Sequence, residues 1–149
     1  PAVGMVATHD LGTAKGWIAS RRALYRREQS AVWAIVGRED RQFLGVIGMA
    51  LVPEHRRAML TFWMGPPHRD RGYATEAARG AVGCGFETVG LDRVTACHIE
   101  SNDACRSVLQ KLTMRKEATL RQHLIIEGVA HDLLCYGLLR DEWPLDEPE

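Results

Sequence analysis

The sequence predicts an α+β domain on a mixed, mostly antiparallel sheet. Three apolar runs with short links, a helix-length crossover after the third, and two closing strands joined at a glycine predict it. The runs cover residues 31–36, 44–52 and 58–64. Their links, Gly37-Arg38-Glu39-Asp40-Arg41 and Pro53-Glu54-His55-Arg56, are too short for a crossover, so these strands form an antiparallel meander. Residues 44–52 are apolar on both faces, the pattern of an interior strand. The next strand, 93–99, follows a helix, which makes it parallel to the third. The closing strands, 115–126 and 131–139, flank Glu127-Gly128-Val129, where Gly128 suits a hairpin.

Composition narrows the function classes. The chain has 149 residues, 46% hydrophobic, enough for one core and one domain spanning 1–149. Nineteen basic and nineteen acidic residues cancel, which argues against a general nucleic-acid binder. The apolar runs are too short to span a bilayer, so no membrane role is expected. Cys84, Cys97, Cys105 and Cys135 match no zinc spacing, and no signal peptide is evident. Free thiols, a cytoplasmic location and no metal are the expectation. The chain starts at Pro1 without a Met, which fits a processed or truncated N-terminus.

The remaining elements follow in order. Residues 11–27 read as a helix with Ala14, Trp17, Ile18, Leu24 and Tyr25 near one face and Arg21, Arg22, Arg26 and Arg27 on a solvated one. A second helix is expected over 73–89. Ala74, Ala77, Ala78, Ala81, Val82 and Phe86 give its apolar stripe, and Gly90 its end. Ser101-Asn102-Asp103 can cap a third helix, whose apolar face is Ala104, Cys105, Val108, Leu109 and Leu112. The acidic tail from Asp141 is expected to fray after Trp143.

The chemistry centres on His68-Arg69-Asp70-Arg71-Gly72-Tyr73-Ala74-Thr75-Glu76. A glycine-bearing turn between a strand and a helix aims several main-chain N–H groups at one spot, where the helix dipole adds roughly half a positive charge. That is an anion site, most naturally for phosphate. Read by itself, such a turn is more often a plain connection.

Arg69-Asp70-Arg71-Gly72-Tyr73-Ala74 also fits an Arg/Gln-x-x-Gly-x-Gly/Ala turn, followed by Thr75-Glu76-Ala77. Asn102-Asp103-Ala104-Cys105-Arg106-Ser107-Val108-Leu109-Gln110-Lys111-Leu112 comes later, then His131-Asp132 and Leu138-Leu139-Arg140-Asp141-Glu142-Trp143. This ordered set resembles the GNAT superfamily of N-acetyltransferases, in particular the RimJ/RimL type that acetylates ribosomal-protein N-termini.

The resemblance implies an acyl-CoA N-acyltransferase fold, whose sheet splays between the strand before the turn and the strand after the helix. Acetyl-CoA would lie in that wedge. Arg71, Gly72, Tyr73, Ala74 and Thr75 would present N–H groups to the pyrophosphate, with Arg69 beside them. The pantetheine arm would pair with main chain at Trp63, Met64 and Gly65, and Gly65-Pro66-Pro67 suits a strand that must end where the sheet opens. The departing CoA thiolate needs a proton. The family's usual tyrosine position is Leu109 here, which has none to give, and the serine of the RimJ/RimL type is Cys105. A thiol of ordinary pKa about 8.5 can donate; Cys105 can equally be a small packed side chain. Asn102 would cap its helix or bond the pantetheine or a water.

Two further positions depart from the family pattern. Leu112-Thr113-Met114 stands for Leu-Gly-Phe, and Met59 stands where relatives often carry a proton-accepting glutamate. The general base stays open among Glu54, His55, Glu76, His98 and Glu100. Glu76 alone is placed by motif, and it can equally orient the turn. The implied activity is direct transfer of an acetyl group to a primary amine, a protein N-terminus or a small molecule. The alternative is an acyl-CoA-binding module without transfer. Look-alike enzymes are frequently homodimers, and the loops around 1–30, 53–57 and 123–131 would set the amine.

Overall fold

The computed structural model describes residues 11–27 and 29–144, and the side chains of all of these except 11–14, 17, 24 and 26. Its main elements are α1 (Leu11–Arg26), β1 (Ser30–Val36), β2 (Phe43–Val52), β3 (Arg57–Met64), α2 (Tyr73–Cys84), β4 (Arg93–Ile99), α3 (Asp103–Lys111), β5 (Arg115–Ile126) and β6 (Val129–Leu139). The six strands form one sheet in the order β1-β2-β3-β4-β6-β5. Every neighbouring pair is antiparallel except β3–β4, which is parallel as the helical crossover requires.

Strand alternation divides the sheet into two unlike faces. Ile47 and Met49 of β2, Ala58 and Leu60 of β3, Val94 and Ala96 of β4, and Leu134, Tyr136 and Leu138 of β6 are buried together. Ala78, Ala81 and Val82 of α2 and Leu109 and Leu112 of α3 complete this core. The small residues of α2 let its axis approach the sheet closely. Leu109 is completely buried, and such a side chain contributes about 2 kcal/mol by leaving water. On the opposite face Thr95, Cys97 and Ile99 of β4 are only half-buried.

Local departures from the expected pattern have identifiable causes. The helix expected over 73–89 is α-helical to Cys84 and then widens into a π-helical turn, Gly85–Val89. There Gly85 passes so close to Leu91 that an added Cβ would sit 3.0 Å from its Cδ1, and Phe86 meets Trp143 with ring centroids 6.0 Å apart. After α3, Thr113 takes φ +59, the left-handed position that glycine normally fills. Its N–H bonds Gln110 O, and Met114 N–H bonds Leu109 O. Those two bonds are a Schellman closure, made here with a β-branched residue. The hairpin turn is the two-residue pair Glu127-Gly128, both at positive φ, so β6 begins at Val129 rather than 131. Consequently most of the loop expected around 123–131 is strand.

The apolar face expected on α1 is only partly open to description. Ile18 and Tyr25 are exposed, so this helix does not bury them. The side chains of Ala14, Trp17 and Leu24 lie outside the described residues, as does the acidic tail beyond Pro144.

Candidate active site

The site begins where β3 and β4 stop pairing. Their parallel ladder has three rungs, Arg57↔Arg93, Ala58↔Val94 and Met59↔Thr95. Thr95 Oγ1 donates to Ala58 O (3.3 Å) at the last of them. Beyond it β3 runs on to Met64, held by β2 as far as Gly45↔Met64. β4 runs on to Ile99, held by β6 as far as Ile99↔Leu133. Each arm is thus fixed on its outer edge while the inner edges diverge. Residues 60–64 and 96–99 face a wedge across which the two strands no longer pair.

Parallel strands end at the same edge of a sheet, so both arms deliver their following helices to the wedge mouth. Gly65 continues the outer pairing through its N–H to Leu44 O (2.8 Å), and a short 3-10 turn, Pro66–His68, then breaks the strand. Arg69 Nε donates to Met64 O (3.3 Å), which folds the turn back on the strand end. Asp70 (φ +59) and Gly72 (φ +83) both adopt left-handed backbone before α2 begins. The earliest helical bond runs from Glu76 N–H to Gly72 O (3.0 Å), so the N–H groups of Tyr73, Ala74 and Thr75 have no partner within the helix. No side-chain cap takes them among the described residues. A Cβ built on Gly72 would meet nothing within 4 Å, so the glycine serves its dihedral and the space beside it is open. Arg69 and Arg71 flank that turn in sequence and carry positive charge, with Asp70 between them.

The start of α3 forms the other rim. Asn102 is its N-cap and accepts from Cys105 N–H through Oδ1 (3.0 Å). The cap uses the oxygen of Asn102 and leaves its amide nitrogen as a separate donor. Cys105 is half-buried in the first turn, and burial pushes its thiol up to about 11. It therefore stays protonated through the physiological range.

The residues singled out from sequence sort clearly by position. Trp63, Met64 and Gly65 lie at the end of the β3 arm. Arg69, Arg71, Gly72, Tyr73, Ala74 and Thr75 form the turn beyond it, and Asn102 and Cys105 stand beyond the β4 arm. Glu76 is exposed in the first turn of α2. Glu54 and His55 sit before β3, at the paired end of the wedge and opposite its mouth. Glu100 is exposed, and its N–H bonds Asp132 O. His98 faces the core instead. It is 2% exposed and stacked on Tyr136, with Nδ1 2.7 Å from Ile99 O and Nε2 without a partner. The open inner edges were not readable from residue types, because pairing limits are set by main chain rather than by side chains.

A parallel strand pair that opens onto an uncapped helix start defines the class: an acyl-CoA-binding acyltransferase fold. The family model for the acetyltransferase (GNAT) domain matches residues 2–115, and the chain belongs to that family. It is similar to the uncharacterized N-acetyltransferase YoaA of Bacillus subtilis, 30% identical over 92% of this chain and 78% of that protein. It is also similar to the uncharacterized N-acetyltransferase p20 of Bacillus licheniformis, 26% identical over 90% of this chain and 76% of that one. Among solved structures, Mycobacterium smegmatis RimJ in complex with CoA-disulfide superposes with TM-score 0.87 at 24% identity, covering 98% of this chain and 71% of RimJ. The ribosomal-protein-S5-alanine acetyltransferase of Vibrio fischeri gives TM-score 0.81 at 18% identity, covering 93% and 78%. These two likenesses show the fold. The chain is an N-acetyltransferase of the GNAT family, whose members use acetyl-CoA. Among the described residues no helix is long and apolar enough to cross a membrane.

Proposed function

We propose that the chain moves an acetyl group from acetyl-CoA directly to a primary amine, a protein N-terminus or a small molecule, in a ternary complex. One observation carries this reading: three rungs of β3–β4 pairing give way to a wedge whose mouth holds a helix start with free N–H groups. The N–H groups of Arg71 to Thr75 take the pyrophosphate, where the helix dipole and Arg71 favour negative charge. Arg69 keeps the turn folded through Met64 O and leaves the rest of its guanidinium to the anion. Main chain at Trp63, Met64 and Gly65 pairs with the amides of the pantetheine arm as an added strand would. Acetyl-CoA supplies the thioester whose carbonyl the amine attacks.

On the other rim, Cys105 gives its proton to the departing thiolate. Burial keeps that proton on Cys105 through the physiological range, and it also makes the thiol a weaker acid than an ordinary one, so transfer relies on the sulfur anion forming directly beside it. Asn102 holds the first turn of α3, and so the Cys105 main chain, in position. Glu76 complements the α2 dipole and orients the turn. The amine arrives neutral. At pH 7 about one α-amino group in ten is neutral, against about one lysine-type amine in 2,500. Peptide N-termini are therefore the better class of acceptor.

The test is release of CoA thiol from acetyl-CoA across a panel of peptides and small amines, with the acetylated product identified by mass spectrometry. The account expects turnover with at least one α-amine and a rate that climbs with the neutral fraction of the acceptor. Acetyl-CoA binding without turnover on any amine would leave only the binding module. Failure to bind acetyl-CoA would end both readings.

A further inference from the structure

We propose that Cys97 and Cys135 are an oxidisable thiol pair on the half-buried face of β4, which a low-molecular-weight disulfide converts to a Cys97–Cys135 bridge. The two residues are direct partners in the antiparallel β4–β6 ladder, and their Sγ atoms are 3.2 Å apart. Directly opposed residues in such a ladder have Cα atoms about 4.5–5.5 Å apart. That lies within the roughly 4.4–6.8 Å span of a disulfide, so closure needs side-chain rotation and no strand movement.

Access follows from the faces of β4. Val94, Ala96 and His98 point into the core under the helices, whereas Thr95, Cys97 and Ile99 occupy the other face. Cys97 and Cys135 are both half-buried there. Cys84 lies on α2; Cys105, on α3, is outside the ladder but near enough to Cys97 to act on it electrostatically, which makes it the competing thiol in the test. The inference does not rest on the acetyl-transfer reading.

The chemistry balances with two thiols and one external disulfide. Either thiol can donate across the 3.2 Å contact; because burial holds the proton on Cys97, the first nucleophile is Cys135. Its thiolate attacks the reagent, a Cys135–sulfur mixed disulfide forms, and one thiolate leaves and takes up a proton. Cys97 then loses its proton to solvent and attacks the Cys135 sulfur, and the second reagent thiol departs. Burial first, and the bond to Cys135 second, hold Cys97 up at about 12. The bond to Cys135 is gone once the mixed disulfide has formed, but burial still favours the protonated Cys97 thiol, so the resolving step is faster at alkaline pH.

The experiment incubates the reduced chain with oxidised glutathione at mildly alkaline pH, alkylates remaining thiols and maps peptides by mass spectrometry. Loss of two hydrogens, one linked Cys97–Cys135 peptide, alkylated Cys84 and Cys105, and reversal by dithiothreitol are expected. The bridged form should melt roughly 5–10 °C higher than the reduced one. Cys97→Ser and Cys135→Ser should each prevent the bridge, and Cys97→Ser should stop at a glutathione adduct on Cys135. A bridge to Cys84 or Cys105, a persistent adduct on the unmutated chain, no reaction at alkaline pH, or an unchanged or lowered melting temperature would overturn the proposal. The unmutated peptide map decides the matter even if a variant fails to fold.

Discussion

The two helices that leave the wedge begin in opposite ways. At the start of α3, Asn102 turns its side-chain oxygen onto Cys105 N–H, and Asp103 adds a carboxylate to the first turn. At the start of α2, Gly72 offers no side chain, adopts φ +83, and leaves the first N–H groups of the helix free. Helix ends are ordinarily satisfied by caps or water, and a cap contributes about 1 kcal/mol. The fold takes that stabilisation on one rim and forgoes it on the other. One start is closed by the protein's own side chain, and the other is the one we propose receives an anion.

The largest expected effect comes from making the open start resemble the closed one. Gly72→Asp introduces a carboxylate where the pyrophosphate should sit, into space that has room for it, and Asp tolerates left-handed backbone better than most residues. Acetyl-CoA affinity by calorimetry should fall about 100-fold, with Gly72→Asn, of the same shape and neutral, losing far less. Equal losses in the two variants would mean that shape, not charge, governs the turn.

Next in size is Cys105→Ala. Removing a general acid should lower kcat by about 10–100-fold while acetyl-CoA affinity stays within about twofold. The donor acts only while protonated, so kcat of the unmutated chain should fall as pH rises through about 11, and the variant should lose that limb. The same raised thiol weakens the fold as pH climbs from the ordinary thiol range toward about 11, because the buried sulfur resists the charge that the unfolded chain accepts.

Uncapping the closed start is a smaller change. Asn102→Ala should cost about 1 kcal/mol, a drop of about 2–4 °C in melting temperature, through loss of the bond to Cys105 N–H. Smallest is Thr113→Gly at the far end of α3. Relief of the left-handed strain, about 1–2 kcal/mol, is partly offset by glycine's freedom in the unfolded chain, leaving a gain of about 0.5 kcal/mol. A loss of stability there would mean that the Thr113 Oγ1 bond to Leu112 O (2.6 Å) outweighs the strain.

The fold was largely legible in residue patterns, because burial dictates them. The helical crossover before residues 93–99 marked β4 as parallel to β3, and the small stripe of α2 marked a helix lying close on a sheet. The tight turn at Gly72 was legible because glycine takes φ +83 without penalty. Other features were hidden for physical reasons. The π-helical turn at Gly85–Val89 depends on Leu91 and Met49 closing around Gly85, a tertiary contact. Thr113 violates the rule that would have announced its turn. Cys97 and Cys135 stand 38 positions apart, and only the β4–β6 register joins them. His98 looked like a base by type, yet the register turns it into the core.

Amide hydrogen exchange with and without CoA tests the central claim most directly. The account predicts new protection at Gly72 to Thr75 and along residues 60–64, with little change at the already bonded Cys105 N–H. Unaltered exchange in both stretches on a CoA-saturated chain, or protection confined to other parts of the sheet, would contradict it.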